Sequence, residues 1–507
     1  MTQPNPPTEA PQAGLAPDST ERVRRESVLY LPGKLIRALT GALIYPILAV
    51  AFAAEEVGRY DLSIRFVDFL YTLCALWLGT VIVRYYSAFH ERNEKPAYLN
   101  VVGLIRLAGV GVGLGLLLMP RLLAPAPYHP LLSAAALMFI GYTLFETGLM
   151  MLRAKSKAVA YSACTATAAV GRVVVGLLLA LGLGMGVKGM IWGVAIMHLA
   201  LYFTVMRPHF ASLRLRLTDS ERAFLREALV FGLPLGLSAL LTFFLGNADR
   251  YLLRIFRGDA EVGLFAVASQ FGEQPVFVLY SSIMLAVFPA AARVFDRDGR
   301  RAAEAFNRST TRNYLFLAAP IVVLLGVLSK PFLGMFPREY AMTYPVMPWV
   351  AAGAFLHGLA QYPGMGLLIT KRTPLMLGVN AIAVAVNLTV GCVLIPRLGF
   401  IGCGVTRVIS GCVLVVVMAL ATRRCLAWSI PMLSVVRVGA AAAITGLAVH
   451  AGYSLLPAQM AIPLTLCALT LASCAGIVLF ATLLLLLREI RFRNLVDGIR
   501  GLIRRAR

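Results

Sequence analysis

Basic side chains stand where a chain this apolar should not carry them. Arg65, Arg106, Arg172 and Arg407 fall inside apolar runs, Lys34 and Arg37 near the start of the first run, and Arg250 just beyond another. A guanidinium donates paired hydrogen bonds in a fixed fork, so a path lined with arginine suits a multiply charged oxyanion and repels a cation. Each candidate also has a plainer reading. Arg65 and Asp68 are three apart on one helix face and either neutralise each other or face a cavity. Lys34 and Arg37 either snorkel to lipid headgroups or reach inward. Arg106 lies about 12 Å into its run at 1.5 Å per residue, too deep for a boundary charge. Arg172, in the middle of its run, is the strongest single cavity candidate. Arg250 is poorly placed to pair with its neighbour Asp249, because adjacent helical residues diverge.

The acids Glu146 and Glu273 either carry a coupling proton or serve as ion-pair partners of the arginines, and the second role is favoured because arginines outnumber acids in these runs. Asn380 and Asn387 share one helix face and either hydrogen-bond sugar-like hydroxyls or glue helices together. His357 and Gln361, four apart, carry the same ambiguity. No phosphate-binding glycine loop, nucleophile–base set or metal cluster is legible. Neither enzyme chemistry nor a cofactor is therefore expected. A membrane glycosyltransferase or sugar ligase would need a long exterior loop with catalytic side chains, and the loops here are short.

The elements that hold these residues follow from composition. Of 507 residues 59% are apolar and 14% charged, against about 25% charged in soluble domains. Apolar runs of about 20 residues, long enough to cross a bilayer as helices, recur from Tyr30 to Leu487 without period-two alternation, which excludes a β-barrel. The sequence predicts an all-α polytopic membrane protein with spans at 30–54, 63–85, 98–119, 130–151, 158–182, 188–206, 227–246, 262–289, 313–333, 345–369, 374–395, 399–421, 435–455 and 463–487. The first is expected to be a retained helix despite Ala49-Val50-Ala51, which resembles a cleavage site. With the N-terminus inside, and with Lys34, Arg37, Arg84 and Arg437 at span ends counted as cytoplasmic and Lys188 and Lys330 as outer, cytoplasmic segments hold 34 Lys/Arg, outer loops nine, and the spans four. That asymmetry fits fourteen spans with both termini cytoplasmic. It also accounts for the net charge of +23 without nucleic acid as a partner. One exterior loop departs from the rule by carrying Arg250, Arg254 and Arg257.

The chain reads as two copies. Glu56-Val57-Gly58 aligns with Glu261-Val262-Gly263, placing Tyr60 on Phe265 and Phe66 on Phe271. Gly186-x-x-Gly189 aligns with Gly399-x-x-Gly402, and a basic loop precedes the fifth span of each copy. Six spans is an even number, so both copies share one orientation, and such repeats place the path between them. The expected organisation is a disordered cytoplasmic tail (1–27), an N-lobe (28–206), and a linker (207–226) with a capping box Thr218–Glu221 opening a short interfacial helix that runs into the seventh span. A C-lobe (227–421), two additional spans (422–487) and a basic amphipathic tail (488–507) for the anionic leaflet follow.

Six-plus-six spans, the acidic-Val-Gly-x-aromatic motif after spans 1 and 7, Asp249-Arg250 and Gly399-x-x-Gly402 together resemble the Wzx-like polysaccharide flippases of the multidrug/oligosaccharidyl-lipid/polysaccharide exporter superfamily, over roughly residues 28–425. The resemblance implies a bacterial inner-membrane protein that moves an undecaprenyl-diphosphate-linked oligosaccharide between leaflets. Its implied partners are that lipid-linked substrate, membrane lipids, a polysaccharide polymerase and glycosyltransferases. Two branches are alternatives. The drug/cation antiporters typically carry an acid in the first span, and residues 30–54 hold none. The lipid II flippases also have fourteen spans, but their Asn- and Arg-rich motif in span 2 is absent here.

Overall fold

The computed structural model describes residues 17–123, 128–210, 214, 216–457, 461–487 and 489. Expectations for 1–16 and for the amphipathic tail beyond 489 lie outside the described residues, as does the side chain of Lys34. Ten described helices are long and apolar enough to cross a membrane, and eleven if one bent pair counts as a span.

The N-terminal helices are α1 (Pro17–Ala51), α2 (Ala54–Cys74), α3 (Leu76–Glu91), α4 (Lys95–Leu123), α5 (His129–Ala154), α6 (Ala158–Leu177) and α7 (Val187–Leu201). A wider π-turn extends each of the last two, at Leu178–Gly182 and Tyr202–Met206. Then come α8 (Asp219–Arg257), α9 (Asp259–Val327), the short α10 (Ser329–Leu333) and α11 (Arg338–Ala341), α12 (Met347–Ile369), α13 (Thr373–Leu398) and α14 (Phe400–Thr422). The last described helices are α15 (Met432–Ser454) and α16 (Ile462–Leu486). The 69 residues of α9 are two helices joined at Gly299, whose φ of 81° interrupts the helical path. With α9 so divided, and α2 and α3 taken as one bent span, each of the fourteen expected spans falls on a helix.

Two lobes pack separately and meet along α2, α8 and α9. In the first, α1 lies on α6, and α5 and α6 lie on α7; in the second, α12 packs on α9 and α14, and α13 on α8 and α14. The added helices pair with each other, and α15 rests on α9. Large apolar side chains such as Leu183, Leu447 and Leu471 remain 71% exposed, as a lipid-facing surface requires.

The repeated motifs do the same work in both lobes. Gly186 and Gly399 cap α7 and α14 at φ of 62° and 58°, a region side chains avoid. Three residues on, Gly189 and Gly402 let those helices approach the preceding backbone so closely that a Cβ would stand 2.5 Å from the Ala180 nitrogen or 2.8 Å from the Leu394 oxygen. The other motif joins the lobes. A Cβ on Gly58 would meet the Asp259 carbonyl at 1.9 Å, and one on Gly263 the Ala54 carbonyl at 1.8 Å. The two copies therefore sit directly on one another.

Several boundaries differ from expectation. The first helix starts at Pro17, within the stretch expected to be a disordered tail. The second span starts at Ala54 rather than 63, so Glu55 through Leu62 are helical. Arg250, Arg254 and Arg257, expected in an exterior loop, lie in the last turns of α8. As expected, the linker helix runs into the seventh span; the two form a single 39-residue helix, opened by the capping box in which Thr218 and Glu221 cap each other. Asn100 of α4 donates to Glu221 at 3.1 Å and accepts the Arg214 amide at 2.5 Å, docking the linker on the first lobe.

Candidate functional site

The first lobe gathers Arg37, Arg65 and Arg172. Arg37 of α1 reaches across to Glu146 of α5 at 2.9 Å and donates to the Tyr142 hydroxyl at 3.5 Å. Arg65 of α2 stands 3.6 Å from both Asp61 and Asp68, one turn away on either side. Arg172 of α6 lies in the electrostatic surroundings of Arg37, Tyr60, Tyr142 and Asp68. Its guanidinium packs over Gly41 of α1, 3.8 Å from where a Cβ would stand. Its Nε is buried without a hydrogen-bond partner, and no described carboxylate pairs with it. Arg106 is 7% exposed and sits with its guanidinium 5.4 Å from the Tyr202 ring centre, with that tyrosine rather than the other arginines as its electrostatic partner.

The second lobe treats its arginines differently. Arg407 of α14 binds Asp249 of α8 and Glu273 of α9, each at 2.6 Å, and donates to the Gly246 carbonyl at 3.0 Å. Gly246, Glu273, His357, Arg407 and Ser410 line a cavity of about 50 Å³, and the Glu273 side chain is 35% exposed. Arg250 is 4% exposed; it approaches Asp61 of the first lobe at 3.0 Å, donates to Ser269 at 3.1 Å and to the Gly246 carbonyl at 3.3 Å, and stays 3.8 Å from Asp249. A continuous series of charges thus runs Asp68–Arg65–Asp61–Arg250–Asp249–Arg407–Glu273 across the lobe boundary.

A further layer lies at the end where α1 passes into α2 and α8 into α9. Asp259 receives Arg59 of α2 at 3.2 Å, Arg254 of α8, and the Tyr128 hydroxyl. Arg257 pairs with Glu261 at 3.1 Å, and Glu261 also accepts the Phe400 amide at 3.0 Å. This accounts for three arginines at an end that the orientation rule would leave poor in them: each of Arg250, Arg254 and Arg257 is matched by a carboxylate.

Other candidates land elsewhere. Asn387 is 1% exposed and donates to Ser410 at 3.1 Å, bridging α13 and α14. Asn380 is buried two turns away on α13, and Gln361 stands 3.4 Å from His357 on α12. Sequence reasoning missed Asp61 and Asp259. Asp61 is fully buried, pairs with Arg250 and accepts the Tyr45 hydroxyl. Its signal was present as an acid four residues before Arg65.

The family described as "Polysaccharide biosynthesis protein" matches residues 23–295, more than half of the chain. No curated protein matches by sequence. Among solved structures, the lipid II flippase MurJ in an inward closed conformation is similar at 14% identity and a TM-score of 0.74, covering 92% of this chain and 100% of that one. A multidrug resistance MATE family transporter in an inward-facing conformation is similar at 14% identity and TM-score 0.55, covering 80% and 95%. A point mutant of the Vibrio cholerae MATE transporter VcmN is similar at 16% and 0.54, covering 80% and 98%. At these identities the likeness is one of fold: two lobes of six helices in a pseudo-twofold arrangement, with two further helices at the C-terminal end.

Proposed function

The chain belongs to the family of polysaccharide biosynthesis proteins, and on that premise we propose that it flips an undecaprenyl-diphosphate-linked oligosaccharide across a bacterial inner membrane, with both termini cytoplasmic. The observation that carries the reading is Arg172: a partly buried cation in the first lobe, beside Arg37, whose Nε has no hydrogen-bond partner and which makes no salt bridge to a described carboxylate. An unmatched guanidinium inside a membrane protein is costly unless a ligand supplies the charge, and a diphosphate accepts its paired hydrogen bonds. In this reading Arg37, Arg65, Arg106 and Arg172 contact the diphosphate during its passage, and the prenyl chain stays in lipid along α15 and α16.

The two lobes rock about α2, α8 and α9. The Asp259 layer and the Gly58–Gly263 contact form the outer seal, and the Asp61–Arg250 pair lies behind it. Arriving phosphate oxygens compete with Asp61 and Asp68 for Arg65, which loosens the series of charges that joins the lobes. No bond is made or broken in the substrate.

In a strain whose own exporter is deleted, Arg172→Ala combined with Arg106→Ala is expected to abolish polysaccharide export while membrane insertion is unchanged. Normal export by that variant contradicts the cationic cavity. The likeness to the MATE transporters favours one other reading, a cation-coupled antiporter. Drug efflux by cells expressing the chain, with surface polysaccharide unaltered, would establish that instead.

A further inference from the structure

A cleft of about 850 Å³ opens where α10 and α11 meet the end of α15 and the start of α16. It lies at the same end of the molecule as the Asp259 layer, because Tyr340 of α11 donates a hydrogen bond to the Phe52 carbonyl at 3.3 Å. Lys330, Arg338 and His450 bring positive or titratable charge to it, Tyr344 and Tyr453 bring amphipathic rings, and Met335 is among its apolar side chains. The Lys330 ammonium sits 5.9 Å from the Tyr344 ring centre. Around the cleft Met342, Ile462 and Leu464 are 67%, 57% and 61% exposed, a surface suited to lipid.

The cations of this cleft differ from the ion-paired arginines of the lobe seam. Arg59, Arg250, Arg254 and Arg257 each hold a carboxylate. Neither Lys330 nor Arg338 pairs with any described carboxylate, although both line the same cleft. Two unneutralised cations beside an apolar slot, flanked by tyrosines of the kind that settle at membrane interfaces, complement one chemistry: a phosphate joined to a hydrocarbon chain. We propose that this cleft binds the phosphate of an anionic lipid, with the slot receiving the first part of its chain. The site lies on the flank built by the added helices and does not depend on the flipping reading.

The test is native mass spectrometry of the purified full-length protein in detergent, offered phosphatidylglycerol, undecaprenyl phosphate or zwitterionic phosphatidylcholine. The wild type is expected to retain one or both anionic lipids in preference to phosphatidylcholine. In Lys330→Gln/Arg338→Gln the preference should fall about 30-fold, two cations at about fivefold each. Lys330→Arg/Arg338→Lys should keep it, as should Arg397→Gln at the same end, which guards against a folding defect. Retention of phosphatidylglycerol alone identifies a bulk phospholipid, and retention of undecaprenyl phosphate alone identifies the carrier lipid. Equal retention of phosphatidylcholine, no retention by the wild type, or an unchanged preference in the glutamine variant overturns the proposal. Arg172→Gln should leave retention of phosphatidylglycerol intact, so loss of export and loss of this site are separate results.

Discussion

The two lobes share one fold and use arginine in opposite ways. In the second lobe Arg407 is closed in by two carboxylates at 2.6 Å and a carbonyl at 3.0 Å. In the first, Arg37, Arg65 and Arg172 lie among three carboxylates, Asp61, Asp68 and Glu146, and Asp61 is shared with Arg250. A duplicated scaffold therefore carries one half whose buried Arg407 is neutralised within the lobe and one half with positive charge in excess. Satisfied charge holds helices in place; excess charge is available to a ligand. On the proposed reading, the second lobe supplies rigidity and the first supplies recognition.

The widest separation between the lobes should appear on removing their arginines. Arg172→Ala is expected to leave thermal stability near wild type and reduce export severely, as followed by surface polysaccharide. Arg407→Ala leaves Asp249 and Glu273 without their cation in the interior, which costs about 3–5 kcal/mol. Its expected signature is a large fall in melting temperature in detergent, and equal melting temperatures for the two variants would erase the contrast. A smaller effect comes from the seam. Gly58→Ala forces a Cβ into the Asp259 carbonyl, a clash of the kind that costs about 1–3 kcal/mol. It should raise labelling of a Ser63→Cys probe, in a cysteine-free background, by a membrane-impermeant maleimide. Unchanged labelling would mean that the seam is not a seal.

The smallest effect concerns the linker between the lobes. Thr218→Ala removes half of the capping box and should lower stability by about 1 kcal/mol. Burial pushes the Glu221 carboxyl up, but the Thr218 amide, Asn100, the Thr218 hydroxyl and Arg214 together hold it below its ordinary value. A carboxylate so depressed contributes stability in full above its unfolded value of about 4.3. That contribution is lost as pH falls through the folded value. Melting temperature measured from pH 7 down to acid should therefore drop less steeply in Glu221→Gln than in wild type.

Much of this is legible in the chain. Span positions, the doubling and the linker's capping box are local or periodic signals, and each falls on a helix or turn of the expected kind. The glycine motifs are legible as markers, though their work at the backbone is not. What the sequence hides is pairing at a distance. Arg407 and Asp249 are 158 positions apart, and Arg59 and Asp259 are 200 apart. No spacing rule connects such residues, so Arg407 reads as an open cation. Asp61 is hidden for another reason: the tyrosine–aspartate pair before Leu62 looks polar enough for a loop, and only its burial against Tyr45 and Arg250 makes it helical core. The arginines of 250–257 read as a loop when charge is counted without its neutralising partners.

The most direct test of the contrast between the lobes is equilibrium binding of undecaprenyl diphosphate to the purified protein in nanodiscs, comparing wild type with Arg172→Gln. Loss of one charge-assisted hydrogen bond of about 1.5–3 kcal/mol predicts binding weakened by roughly 10- to 100-fold, with melting temperature unchanged. Wild-type affinity in the Arg172→Gln protein would contradict the account.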